Sequence, residues 1–306
     1  MLKPPISTYN RNYVNSHRCD DTDEERVCCI NCNRLRGPPN PKTGCCGSDL
    51  LGEKPDPDTI VTSVYQYPWM VLLEYEEVNN ITEFNCGGVL ITSKYVLSAA
   101  HCYMSFKGVV TKRVRVGEYD LFVNGPDCVE VGGKLECTDG AISVPIETFH
   151  IHHNYLSPRK ENDIALLRLQ YDVPYTDFIR PICLPTLDLE KGEHTFYVTG
   201  FGAVEKNRVS NKKIHVDVPF VPSEECIKVY EKNRLFSYGE GHICAGGIRG
   251  RGACNGDSGG PLMSYNGFYE LIGLVSFGKG CGIENIPDIF TKVYYYLPWI
   301  RSHIKP

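Results

Sequence analysis

Three short runs carry residue types that can do nucleophilic chemistry: Ser98-Ala99-Ala100-His101-Cys102, Asn162-Asp163-Ile164-Ala165-Leu166-Leu167 and Gly256-Asp257-Ser258-Gly259-Gly260-Pro261-Leu262. They supply a His, an Asp and a Ser in that order, each in an apolar or Gly-rich frame that can hold it rigidly. A serine hydroxyl is a poor nucleophile at neutral pH. An imidazole must take its proton, and a carboxylate must fix the imidazole's tautomer and stabilise its charge. Ser258, His101 and Asp163 are the candidates for those roles. The negative oxygen that develops on a substrate carbonyl needs preorganised donors, and a glycine two positions before the nucleophile lets backbone N–H groups come close. The N–H groups of Gly256 and Ser258 are assigned to that oxyanion hole.

Further runs keep the same order along the chain: Cys86-Gly87-Gly88, Pro181-Ile182-Cys183-Leu184-Pro185, Val198-Thr199-Gly200 and Val275-Ser276-Phe277-Gly278. A single His-Cys or Gly-Gly-Pro run is more often a packed strand end or a turn. As an ordered set, these motifs make the stretch from Pro68 to Ile304 resemble the chymotrypsin-fold (trypsin-like) serine proteases. The resemblance implies an all-β fold of two packed antiparallel six-stranded β-barrels with a C-terminal helix. It also implies an endopeptidase working through an acyl-enzyme.

The pattern along the chain agrees. Short β-branched and aromatic segments such as Met70-Val71-Leu72-Leu73, Gly88-Val89-Leu90-Ile91 and Ile272-Gly273-Leu274-Val275-Ser276 alternate with turn residues from Trp69 onward. A helix is expected to start at Ser223, which can cap the N–H groups ahead of Glu224 and Glu225, and to run towards Tyr230. A second is expected from about Tyr296 to Ile304, with Pro298 tolerated in its first turn. At 306 residues, 42% hydrophobic and 23% charged, the chain suits one all-β unit of ~200–250 residues with about sixty to spare. Residues 1–50 read as a small disulfide-rich propiece and linker, and 51–306 as the protease domain.

A net charge of −5 gives no reason to expect nucleic-acid binding. No run reaches the ~18 apolar residues of a membrane span, and Met1-Leu2-Lys3-Pro4-Pro5 does not open a signal peptide. Fifteen cysteines nevertheless argue for an oxidising compartment, and hence for a secreted protein. The resemblance implies pairing of Cys86 with Cys102, Cys226 with Cys244, and Cys254 with Cys281. Cys128 and Cys137 are close enough to staple their own loop. Cys183 is expected to tie the protease domain to the propiece through Cys46 or Cys45, the other of that pair closing a small loop with Cys32. Cys19, Cys28 and Cys29 resemble the last three cysteines of the propiece module in arthropod clip-domain proteases, their partners lying upstream of Met1. The alternative is an unrelated Cys-rich linker with one free thiol.

The substrate pocket departs from the trypsin pattern. Six residues before Ser258, where trypsin-like relatives place an aspartate at the pocket base, stands Gly252. On the opposite wall, after Pro287, Asp288 stands where such relatives usually have glycine. A buried carboxylate is costly unless paired, so a cationic substrate side chain is its natural partner. Ala253, Ser276, Phe277 and Gly278 complete the expected substrate-binding set, Gly278 leaving the entrance open. Cleavage after Lys or Arg is expected, with looser selectivity than a trypsin. The competing reading is that Asp288 partly fills the pocket and favours hydrophobic or amide side chains.

Relatives become competent when a cut after a basic residue frees an Ile-Val-Gly-Gly-like terminus, whose ammonium pairs with the aspartate before the nucleophile, here Asp257. No Arg or Lys lies between Thr43 and Glu53, Lys54 precedes Pro55, and neither Leu50-Leu51-Gly52-Glu53 nor Ile60-Val61 follows a basic residue. Either a protease of different specificity activates the chain, or the sequence is a fragment or faulty gene model without the true site.

Glu118, with Asp120, Asp127 and Glu136, falls in a loop that binds calcium in some relatives; a solvated acidic loop is the simpler alternative, and no cofactor is required. Phe149-His150-Ile151-His152 alternates as an exposed strand would, and His150, His152 and His153 are assigned no metal. Asn80-Ile81-Thr82 is a glycosylation sequon. The function expected is activation of other zymogens in an extracellular immune or developmental cascade, with protein substrates and serpin-type inhibitors as partners. The alternatives are a catalytically silent homologue acting as a cascade cofactor, or a digestive protease, against which the Cys-rich propiece speaks. Loss of Ser258 or His101 would mark the silent class, and the chain keeps both.

Overall fold

The computed structural model describes residues 45–57, 60–76, 82–104, 108–131, 133–157, 159–205, 208–231 and 238–305. Cys19, Cys28, Cys29, Cys32 and Asn80, with the readings attached to them, lie outside these residues.

Alternating apolar strands bury one face, and curling a sheet on itself removes the exposed edges. The first half does this with β1 (Met70–Glu76), β2 (Thr82–Leu90), β3 (Tyr95–Ser98) and β4 (Arg113–Val116). After a side hairpin of β5 (Cys128–Val131) and β6 (Lys134–Cys137) come β7 (Ile142–Ile151) and β8 (Ala165–Leu169), closing a barrel in the order β1-β2-β3-β8-β7-β4. The second half begins with β9 (Thr195–Gly200), a small pair β10 (Ala203–Glu205) and β11 (Arg208–Val209), and β12 (Ile214–Val221). It continues with β13 (His242–Gly246), β14 (Pro261–Tyr265), β15 (Tyr269–Phe277) and β16 (Pro287–Lys292), closing as β12-β13-β16-β15-β14-β9. Every strand pair in both barrels is antiparallel. Val71, Leu73, Val89, Leu97 and Leu166 fill the first barrel, and Phe196, Val198, Ile243, Leu262 and Phe290 the second.

Two helices complete the described chain. In α1 (Ser223–Tyr230) the N-cap is Pro222, not Ser223 as expected. Pro222 leaves the preceding chain extended (φ −56°, ψ 147°), so Ser223 is already the first helical residue and its hydroxyl meets Tyr238 Oη at 3.3 Å instead of a backbone N–H. The C-terminal α2 (Leu297–His303) carries Pro298 in its first turn, as expected. No helix among the described residues is long and apolar enough to cross a membrane.

Disulfides join Cys46–Cys183, Cys86–Cys102, Cys128–Cys137, Cys226–Cys244 and Cys254–Cys281. The choice between Cys46 and Cys45 therefore falls on Cys46, and Cys45 is disulfide-bonded as well. The segment around Cys46 lies on the second barrel: Gly47 donates its N–H to Pro181 (2.9 Å) and accepts from Tyr269 N–H (2.7 Å). The exposed-strand reading of the histidines holds only as far as Ile151, where β7 ends. His152 is buried, its ring 4.7 Å from His153 and 5.3 Å from Trp299.

Candidate active site

Strand register explains how distant residues meet. β3 and β8 pair antiparallel with Ser98 opposite Ala165, so the chain just after β3 lies against the chain just before β8. His101 sits in a one-turn 3₁₀ helix (Ala100–Tyr103) at the first of these points, and Asp163 at the second. The Asp163 carboxylate accepts the His101 backbone N–H (2.9 Å) and lies 2.7 Å from His101 Nδ1. With Nδ1–H donated there, Nε2 is left as the basic nitrogen.

The second barrel holds the same aspartate. Ser276 in β15 donates its hydroxyl to Asp163 Oδ2 (2.6 Å), and Thr291 in β16 donates to the Asp163 backbone carbonyl (2.8 Å). Burial by itself would push the Asp163 carboxyl up. The facing His101, with its hydrogen bond, then Lys160 and the Ser276 hydroxyl, outweigh burial and bring it down to about 2. The Ser276 bond spans 113 residues and has no local signal in the sequence, which placed Ser276 only in the substrate wall.

Ser258 lies in the turn before β14 and shares a cavity of about 510 Å³ with His101. No hydrogen bond joins the two side chains among the described residues, and such bonds commonly tighten only when substrate is bound. Gly256 takes φ +101°, a left-handed conformation that L side chains rarely adopt. Within this turn Asp257 N–H bonds Cys254 O (3.0 Å) and Gly260 N–H bonds Asp257 O (2.8 Å). Among the described residues the Gly256 and Ser258 N–H groups have no internal acceptor, as an oxyanion hole requires.

Ala253, Ser276, Phe277, Gly278 and Asp288 line the cavity; Gly252 does not. Pairing of β15 with β16 sets Phe277 opposite Ile289, bringing Asp288 alongside Gly278. The Asp288 carboxylate lies where a Cβ on Gly252 or on Gly278 would stand, so either substitution would collide with it. Gly252 thus backs the carboxylate rather than facing substrate. Asp288 is buried and accepts one hydrogen bond, from Ala253 N–H (2.9 Å). Burial, with Asp257 nearby, pushes its carboxyl up to about 7.

Residues 59–300 match the family described as Trypsin. The chain belongs to the trypsin family. It is 37% identical to the phenoloxidase-activating enzyme of Bombyx mori, with 100% of this chain and 78% of that protein covered. It is 38% identical to melanization protease 1 of Drosophila melanogaster, covering 80% of this chain and 64% of that one. Among solved structures it is similar to the Grass clip serine protease of the Drosophila Toll pathway, with a TM-score of 0.72, 32% identity, and 84% and 73% of the two chains covered. The protein is therefore a trypsin-like serine protease whose relatives include arthropod clip-domain proteases.

Two further trypsin-family features differ in how well this chain supports them. Asp257 is buried, accepts N–H groups from Gly202 (2.8 Å) and Cys254 (3.0 Å), and is pushed up by burial to about 6. No cation pairs with it among the described residues. In the loop that holds calcium in some relatives, Glu118 is engaged by Arg115 (3.2 Å) and Tyr119 N–H (2.9 Å). Asp120 accepts the Phe122 N–H and the Asn211 amide, and Lys213, lowered by burial to about 8, feels Glu118 and Asp127. Among the described residues the only convergent trio of possible ligands is Cys86, His101 and Cys102, whose sulfurs are bonded to each other. In the acidic loop, Asp127 is buried, and its Oδ1 has no hydrogen-bond partner among the described residues.

Proposed function

We propose that the chain is a secreted endopeptidase that cuts protein zymogens after Lys or Arg in an extracellular cascade. The observation that carries this reading is the His101–Asp163 pair beside Ser258 in a cavity that also holds the Asp288 carboxylate. Ser258 Oγ attacks the scissile carbonyl while His101 Nε2 takes its proton. Asp163 keeps the ring in the productive tautomer and stabilises the imidazolium. The Gly256 and Ser258 N–H groups receive the oxyanion. His101 returns the proton to the leaving amine, and water, activated by the same ring, releases the acyl group. A Lys or Arg side chain in the pocket supplies the cation that Asp288 lacks.

The cascade role draws on the relatives, two of which are named for phenoloxidase activation and for melanization. Residues 1–50 fit a partial clip-like propiece, and the disulfides support an extracellular setting. Protein inhibitors of the serpin type suit a protease of this kind.

A second reading, a silent homologue acting as a cofactor, is favoured by one observation: neither Leu50-Leu51-Gly52-Glu53 nor Ile60-Val61 follows the basic residue at which relatives are activated. A serine-directed phosphonate separates the two. Labelling of the processed secreted protein, absent in Ser258→Ala, establishes a competent site. Absence of labelling after verified cleavage selects the silent homologue.

A further inference from the structure

The chain contains three Asn-Gly pairs, Asn124-Gly125, Asn255-Gly256 and Asn266-Gly267. In such a pair the glycine nitrogen can approach the asparagine side-chain carbon unhindered, because the glycine has no Cβ to stand in the way. Asparagine followed by glycine is for this reason one of the chemically least durable pairs in a protein. All three asparagines are exposed, and Asn255 alone of them lines the cavity that holds His101 and Ser258.

Its surroundings leave the side chain free to react. Asn255 anchors its backbone carbonyl on the Ala203 N–H (3.0 Å), but among the described residues its side-chain amide has no hydrogen-bond partner. The Gly256 N–H has no internal acceptor among them either. That second freedom is imposed by catalysis, since a nitrogen kept open for the substrate oxyanion cannot be tied up inside the protein. The glycine is imposed as well. Its φ of +101° disfavours any side chain, and a Cβ there would come within 3.3 Å of Gly202 Cα. The oxyanion hole thus fixes the reactive nitrogen, and residue 255 decides whether anything reacts with it.

We infer that Asn255-Gly256 is a self-modification site that switches the catalytic centre off with time. The Gly256 nitrogen attacks Asn255 Cγ; a new N–Cγ bond forms, the Cγ–Nδ2 bond breaks, and the amide group departs as ammonia with the proton from Gly256. Water then opens the cyclic imide at either carbonyl, leaving aspartate or isoaspartate at position 255. In the imide the Gly256 nitrogen has no hydrogen to donate to an oxyanion. Aspartate restores the N–H but sets a negative charge beside the developing oxyanion. Isoaspartate lengthens the main chain just before the donor, and a misplacement of about 1 Å costs on the order of 10²-fold. The inference rests on the reading of Gly256 as an oxyanion donor in a protease cleft.

Peptide mass and labelling by isoaspartyl methyltransferase read the modification in full-chain Ser258→Ala protein, which cannot digest itself while held in mildly alkaline buffer. Asn255 should convert at least as fast as Asn266, which sits in the turn between β14 and β15 with its N–H bonded to Phe268 O (3.0 Å). An Asn255 still intact once the exposed Asn124 has converted overturns the proposal. In processed wild-type protein, phosphonate labelling per intact chain should fall in step with conversion. Asn255→Gln, which must close a larger ring, should lose its own starting level about tenfold more slowly. Equal decay in the two proteins overturns the switch. A peptide aldehyde, whose adduct with Ser258 holds an oxyanion against the Gly256 N–H, should slow conversion at Asn255 and leave Asn124 unaffected; protection of neither sinks the link to the oxyanion hole. Conversion of Asn255 in protein that never takes the phosphonate, even when fresh, would sink the protease reading and keep the modification site.

Discussion

Asp163 and Asp288 are both shut off from water, 1% and 5% exposed, yet their carboxyls are driven in opposite directions. Asp163 receives the His101 backbone N–H, the imidazole and the Ser276 hydroxyl, and ends near 2 in spite of its burial. Asp288 receives one backbone N–H, from Ala253, and burial carries it to about 7. Asp257, with two backbone donors and no cation among the described residues, lies close to Asp288, at about 6. The number and charge of the donors, not the depth of burial, separate them. A carboxylate whose needs are met inside the protein works as a fixed part. One left short, as Asp288 is, is where the proposed basic side chain would be met.

The largest expected effect breaks the satisfied member of the pair. Asp163→Asn keeps the shape but places an amide against His101 Nδ1, favouring the wrong tautomer. Turnover should fall by about 10⁴-fold, the figure for this change in the template Ser-His-Asp enzyme. A loss below tenfold in steady-state kcat would mean that Asp163 does not orient the base. Next comes the unsatisfied member. Asp288→Asn removes the charge a basic side chain would meet, and kcat/KM for Arg and Lys substrates should drop by about 10²-fold relative to Leu or Phe substrates. An equal drop for all substrates would assign Asp288 a purely structural role. Faster cleavage after Leu or Phe than after Arg or Lys by the wild type would favour the hydrophobic reading of the pocket.

The parts of this site that were legible in the sequence are those carried by contiguous runs. His101, Asp163 and Ser258 announce themselves because each needs a rigid local frame, and that frame is written beside them. The strands were legible through their short, punctuated β-branched segments, and their closure into two barrels only through the resemblance to the serine proteases. What links the parts was not legible. The Ser276 and Thr291 hydrogen bonds to Asp163 cross from one barrel to the other, and no local pattern encodes that contact. Lys160 escaped notice because nothing beside it in the sequence shows that it lines the same cavity as His101 and Ser258. Gly252 was read as a missing aspartate. Its steric role, making room for Asp288, depends on a cross-strand approach visible only in three dimensions. Cys45 and Cys46 could not be separated because neighbours in sequence offer nearly the same reach.

Ser276→Ala tests the satisfied carboxylate more gently. It removes one of the donors that hold Asp163 down, and hydrogen bonds to charged groups contribute about 1.5–3 kcal/mol. About a tenfold loss of kcat is expected with KM little changed, because the hydroxyl is aimed at Asp163 rather than at substrate. A change confined to KM would return Ser276 to the substrate wall alone.

The smallest effect reads the unsatisfied carboxylate through pH. Asp288 has its carboxyl raised to about 7, so below that pH it keeps its proton and offers a basic side chain no charge. Between pH 6 and pH 8 the ionised fraction rises from about one tenth to about nine tenths. The advantage of Arg over a neutral side chain should grow with pH across that window, by somewhat under tenfold, and level off above it. Taking the ratio of kcat/KM values cancels every titration the two substrates share, including those of the catalytic groups. The same ratio should be flat in Asp288→Asn. A flat ratio in the wild type would mean that the substrate cation never reaches Asp288, and the contrast with Asp163 would then be one of structure without a counterpart in specificity.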